Sequence, residues 1–98
     1  MLTGARAEAL KRMVLSIIPS DGQINARQIL IDLSFPLEEG ESMLEILGRL
    51  VEDGKIIRSP NWEFYSQAND LTFRNDGYSM EAAKGAAEMC IPYRRKAA

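Results

Sequence analysis

The chain has 98 residues, 46% hydrophobic and 27% charged, with 12 basic and 14 acidic side chains and a formal net charge of −2. A chain of this size sustains one domain around its own core, and the composition excludes wholesale disorder and a membrane class. It has no histidine and one cysteine, Cys90, which excludes an internal disulfide, a zinc set and a cysteine–histidine nucleophile pair.

The seven glycines stand singly rather than in a phosphate loop, so no catalytic residue, metal site or cofactor is expected and the chain reads as a non-enzyme. The longest apolar run, Met13–Ile18, is broken by Ser16, and Met1–Gly4 carries no secretory pattern; a cytoplasmic address follows as the expectation. Charge is unevenly placed. Residues 32–53 hold Asp32, Glu38, Glu39, Glu41, Glu45, Glu52 and Asp53 against Arg49 alone, whereas residues 1–31 and 54–98 are each slightly basic.

The first helix is expected over Ala5–Ile18, with Leu10, Met13, Val14, Ile17 and Ile18 on one face and Pro19 ending it. Ser20-Asp21-Gly22 is a turn. Asn25 then suits the N-cap of a second helix, Ala26–Leu33, with Gln28 three residues on. Ser34-Phe35-Pro36 breaks that helix. A third begins at Leu37 or Ser42 and carries an apolar stripe at Met43, Leu44, Leu47, Leu50 and Val51, leaving Ile46 off the stripe and outward. Gly54 closes it, Lys55–Arg58 reads as a strand and Ser59-Pro60-Asn61 as a tight turn. Trp62–Tyr65 alternates as a returning strand, with Trp62 and Phe64 on one face. Gln67–Tyr78 reads as an irregular connector. Ser79 caps a C-terminal helix through Cys90 with a thin face of Met80, Ala83 and Ala87, and Tyr93–Ala98 is a mobile basic tail.

Two short helices joined by a tight break, then helix, glycine and hairpin, resemble a winged helix-turn-helix domain of small bacterial or mobile-element regulators. The likeness rests on Gly22–Ile29, the Leu47/Leu50 pair and Gly54–Pro60, and covers residues 5–65. It implies an α+β fold: a three-helix bundle with a β-hairpin wing in residues 1–66, and a connector, extra helix and tail in residues 67–98. A three-residue strand near Gln23–Asn25 would pair with the wing.

The resemblance further implies a DNA-binding transcriptional regulator, dimeric through the helix at about 79–90. Double-stranded DNA would meet Ser42, Glu45, Ile46 and Arg49 on the third helix, with Arg27, Lys55, Arg58, Asn61 and the tail residues Arg94, Arg95 and Lys96 in support. The acidic block opposes that reading, because affinity for DNA comes largely from neutralising phosphates. The rival is a winged helix used for protein binding, with an acidic third-helix face towards a basic partner. Glu45 and Arg49, four residues apart, would also pair with each other on a helix surface.

Overall fold

The structure, a computed structural model, describes residues 4–96. The expected opening Met1–Thr3 and the end of the expected tail, Ala97–Ala98, lie outside them. Among the described residues the fold is α+β, with five helices, one 3-10 turn and a two-stranded antiparallel sheet.

Helix α1, Gly4–Ile17, buries Ala7, Leu10 and Val14, and Ile18 just beyond it. Met13, expected on that stripe, is 44% exposed. Helix α2, Ala26–Asp32, starts as expected: the Gln28 N–H donates to Asn25 Oδ1 at 2.9 Å, satisfying one of the orphan amides of the first turn. It stops by a Schellman arrangement, with the Phe35 N–H donating to Leu30 O and the Ser34 N–H to Ile31 O. The left-handed position there is Ser34, at φ 58°. The 3-10 turn Leu37–Glu39 leads directly into helix α3, Gly40–Glu52. That helix ends by the same device, with Gly54 at φ 72° supplying the left-handed residue without a Cβ clash.

Helices α1, α2 and α3 close over one core in which Val14, Ile18, Ile29, Leu30, Met43, Ile46 and Leu47 are almost fully buried. Burying side chains of this size stabilises by about 1.5–3 kcal/mol each. Lys11 fastens α1 to the end of α3, its ammonium donating to Asp53 Oδ2 at 3.2 Å.

Strand β1, Ile56–Arg58, follows Gly54, but its partner is not the next segment. Residues 62–65 are helical. Helix α4 runs Trp62–Asn75 through both the expected second wing strand and most of the expected connector. Its half-buried positions Trp62, Ser66, Asn69, Asp70 and Phe73 recur at helical spacing. The alternation of four aromatic-rich residues therefore belonged to a longer 3.6-residue period. Helix α5, Met80–Glu88, is capped by Ser79, whose Oγ accepts from the Ala82 N–H at 3.2 Å, and it packs back on α4.

Strand β2, Tyr93–Arg95, is the true partner of β1, in the register Ile56↔Arg95, Ile57↔Arg94 and Arg58↔Tyr93. Tyr93 also bridges Ile24 on its other edge, each N–H donating to the other's carbonyl at 3.0 and 2.8 Å. The expected strand near Gln23–Asn25 is thus a single bridge. The expected mobile tail is instead the strand between that bridge and β1. It is held by two rows of backbone hydrogen bonds and by the buried Tyr93 ring. Position 67 falls inside α4, and β1 and β2 pair across it.

Candidate interaction surface

Helix α3 packs on α2, α1 and β1 and faces the α4–α5 hairpin across an open groove, which fixes what it shows to the outside. Gly40, Met43, Ile46, Leu47 and Leu50 are buried. Ile46 is therefore not an outward contact residue: it is wholly buried, because the covered arc of the helix is turned towards α1 relative to the expected stripe. Ser42 is half-buried and lines a pocket with Arg6, Met13, Phe35 and Glu39, so it looks towards α1 rather than outward. Exposed on α3 are Glu41, Glu45 and Glu52, beside half-exposed Arg49 and Gly48. Arg49 donates through Nη2 to Glu45 Oε1 at 2.8 Å. The only cation of the face is thus occupied by one of its own carboxylates, and the remaining field is negative.

The other residues expected to gather around a DNA duplex are placed by different elements. Strand alternation puts Ile56, Arg58, Tyr93 and Arg95 on the inner sheet face and Lys55, Ile57, Arg94 and Lys96 on the outer one. The Arg58 guanidinium lies over the Trp62 ring at 5.3 Å. Arg95 reaches α1 and donates to Leu15 O at 2.6 Å, placing a cation at the negative end of that helix. Asn61 is not a hairpin tip but the residue before α4, with no capping bond from its side chain. Arg27 is exposed on α2, and its backbone N–H donates to Met89 O at 3.3 Å. Only Lys55, Arg94 and Lys96 come together. They share the outer sheet face and make no ion pair among the described residues.

A groove of about 440 Å³ runs between α3 and the helical hairpin. Leu37, Leu44, Phe73, Tyr78 and Met89 form its apolar lining, Gly40, Gly85 and Ala86 its shallow parts, and Arg27 and Glu41 its polar contributions. Phe73 and Tyr78 meet edge to face at 5.6 Å, positioned by the chain reversal at Gly77. Cys90 also lines the groove, and burial pushes its thiol pKa up against a smaller opposing effect of Arg27. Sequence reading missed this groove because its two aromatic walls, Phe73 and Tyr78, come from the segment taken for an irregular connector.

Two helix-interior glycines, Gly85 in the groove lining and Gly48 on α3 outside it, are required neither by packing nor by a positive φ. Gly48 and Gly85 sit inside α3 and α5, and a Cβ added at either would meet no atom within 4 Å. Each costs its helix roughly 0.8–1 kcal/mol relative to alanine. Gly48 lies four residues after Leu44 and seven after Glu41, on the same side of α3.

The alanine face expected to join two copies through the C-terminal helix is used within the chain: Ala83 and Ala87 are buried where α5 packs on α4. Among the described residues no group of three or more His, Cys, Asp or Glu side chains is arranged to hold a metal ion. No helix among them is long and apolar enough to cross a membrane. In comparisons with known proteins, no family model matches the chain, and no curated protein and no solved structure matches it either.

Proposed function

We propose that the chain is a winged-helix-like protein-binding module that turns the outer face of α3 towards a partner with a basic surface. The element order supports the winged-helix part of this reading: helix, bridging residue, helix, helix, then two paired strands, with a helical hairpin in place of the wing tip. One observation carries the functional part. Glu41, Glu45 and Glu52 stand exposed on α3, and Arg49 is held by Glu45. Such a face repels phosphates and attracts ammonium and guanidinium groups.

DNA binding is the second reading, favoured by Lys55, Arg94 and Lys96 on the outer sheet face. On that reading the sheet meets the duplex backbone while α3 stays out of the groove.

Titration of the protein with a labelled lysine-rich peptide and with a labelled duplex of about 20 base pairs, at low and moderate salt, separates the two. The protein-binding reading expects the peptide to bind and the triple variant Glu41→Lys/Glu45→Lys/Glu52→Lys to lose it. A steeply salt-dependent duplex affinity that survives this triple change and falls on Lys55→Glu/Arg94→Glu would replace the first reading with the second.

A further inference from the structure

From the groove and the charge around it, we infer that the space between α3 and the helical hairpin docks one amphipathic helix of a partner, apolar on one side and lysine- or arginine-rich along the flanking edge. This inference rests on the protein-binding reading and names the partner's form.

The groove is an open trough lined by Leu37, Leu44, Phe73, Tyr78 and Met89, with Leu37 63% and Tyr78 51% exposed. A helix laid there would place side chains at every third or fourth position against these residues. One rim is Glu41, and Glu45 continues the acidic face four residues on. A helix with its apolar stripe in the trough therefore sets the flanking residues on its α3 side beside Glu41 and Glu45, which selects a basic edge there and disfavours an acidic one, with Arg27 the one cation of the lining.

Gly85 in the lining, with Gly48 on the neighbouring face of α3, supplies an independent reason to expect close approach. Neither has a positive φ, and neither lacks room for a side chain in the unbound chain. Glycine where alanine would fit and would stabilise the helix is accounted for when another backbone comes close at those positions.

The test uses the intact chain and a fluorescein-labelled synthetic helix of roughly 18 residues, leucine on one face and lysine on the other, with a leucine–glutamate counterpart. Anisotropy gives affinity and backbone amide shifts give the site. The expected result is saturable binding of the lysine peptide with shifts at Leu37, Gly40, Leu44, Tyr78 and Gly85, and at least about tenfold weaker binding of the glutamate peptide. Gly85→Leu, which fills the trough, and Leu37→Ser, which removes part of its exposed wall, should each weaken the lysine peptide about tenfold or more. Leu37→Ser should keep the unfolding midpoint within a small shift, and Gly85→Leu should keep or raise it, since a helix-interior glycine is replaced without a clash. Peptide binding abolished by the triple lysine variant of α3 but untouched by Gly85→Leu and Leu37→Ser would overturn the groove while leaving the acidic-face reading intact. Equal binding of both peptides, or shifts confined to the outer sheet face, would overturn it too. No binding of the lysine peptide at all removes both readings.

Discussion

Tyr93→Ala is the most direct probe of how this chain closes on itself. The ring is 3% exposed, its strand lies between Ile24 and β1, and its neighbours belong to the same core as Ile18 and Ile56. A buried aromatic side chain removes about 150–250 Å² from water, worth roughly 4–6 kcal/mol at ~25 cal/mol per Å². Alanine keeps part of that area, so the expected loss is about 3–5 kcal/mol. A domain of this size has a total stability on the order of 5–15 kcal/mol, so the variant should lie near the edge of folding. Urea unfolding followed by Trp62 fluorescence measures the change, with Lys96→Ala, on the exposed sheet face, as a control expected to shift stability by less than about 0.5 kcal/mol. A loss below about 1 kcal/mol for Tyr93→Ala, with an unchanged urea slope, would refute the docking of β2 and with it the closed sheet.

Ile46→Ala should cost about 2–5 kcal/mol because the side chain is fully buried, whereas Glu45→Ala next to it should cost no more than about 1 kcal/mol, as its pair with Arg49 is solvent-exposed; chemical denaturation of both decides whether α3 is rotated as described. Ser34→Gly should stabilise by roughly 0.5–1 kcal/mol, since a side chain at φ 58° is relieved of its Cβ strain; a destabilisation measured by calorimetry would contradict the left-handed cap. The Cys90 thiol, raised by burial above its ordinary 9.0, keeps its proton at pH values where the unfolded chain has lost it. Stability therefore falls as pH rises through the ordinary thiol value, and at about pH 8 a thiol reagent should attack the folded chain more slowly than the urea-unfolded one. Equal rates in the two states would contradict that burial.

The first half of this chain could be read locally. Asn25, Pro19 and Gly54 act within one or two turns of where they stand, and the structure uses each of them in that way; Gln28 does not close a capping box, because its side-chain amide donates to Asp32 Oδ1 at 2.7 Å instead of reaching back to Asn25. Trp62–Tyr65 could not be read from four residues, because aromatic alternation and a helix start look alike at that length. The Asp70–Arg74 pair and the Phe73–Tyr78 contact around Gly77 were the longer-range signs of a helix and its stop. Strand β2 gave no local signal at all. Tyr93-Arg94-Arg95 is basic and short, and it becomes a strand only because β1 and Ile24 offer it two edges. The candidate surface divided along the same line: the acidity of α3 is visible in the sequence, but the groove beside it depends on a pairing between distant segments.

The helical hairpin leaves the body at Arg58 and returns at Tyr93, residues that stand opposite each other in the sheet. Adjacent strands are only about 4.8 Å apart, so the excursion begins and ends at almost one place. The closure entropy of such a detour grows slowly with its length, by about 0.6 kcal/mol for each doubling. The hairpin can therefore lengthen, shorten or change its outer residues with little consequence for the three-helix body. Related chains that kept the body and exchanged this appendage would acquire a groove of different shape and lining.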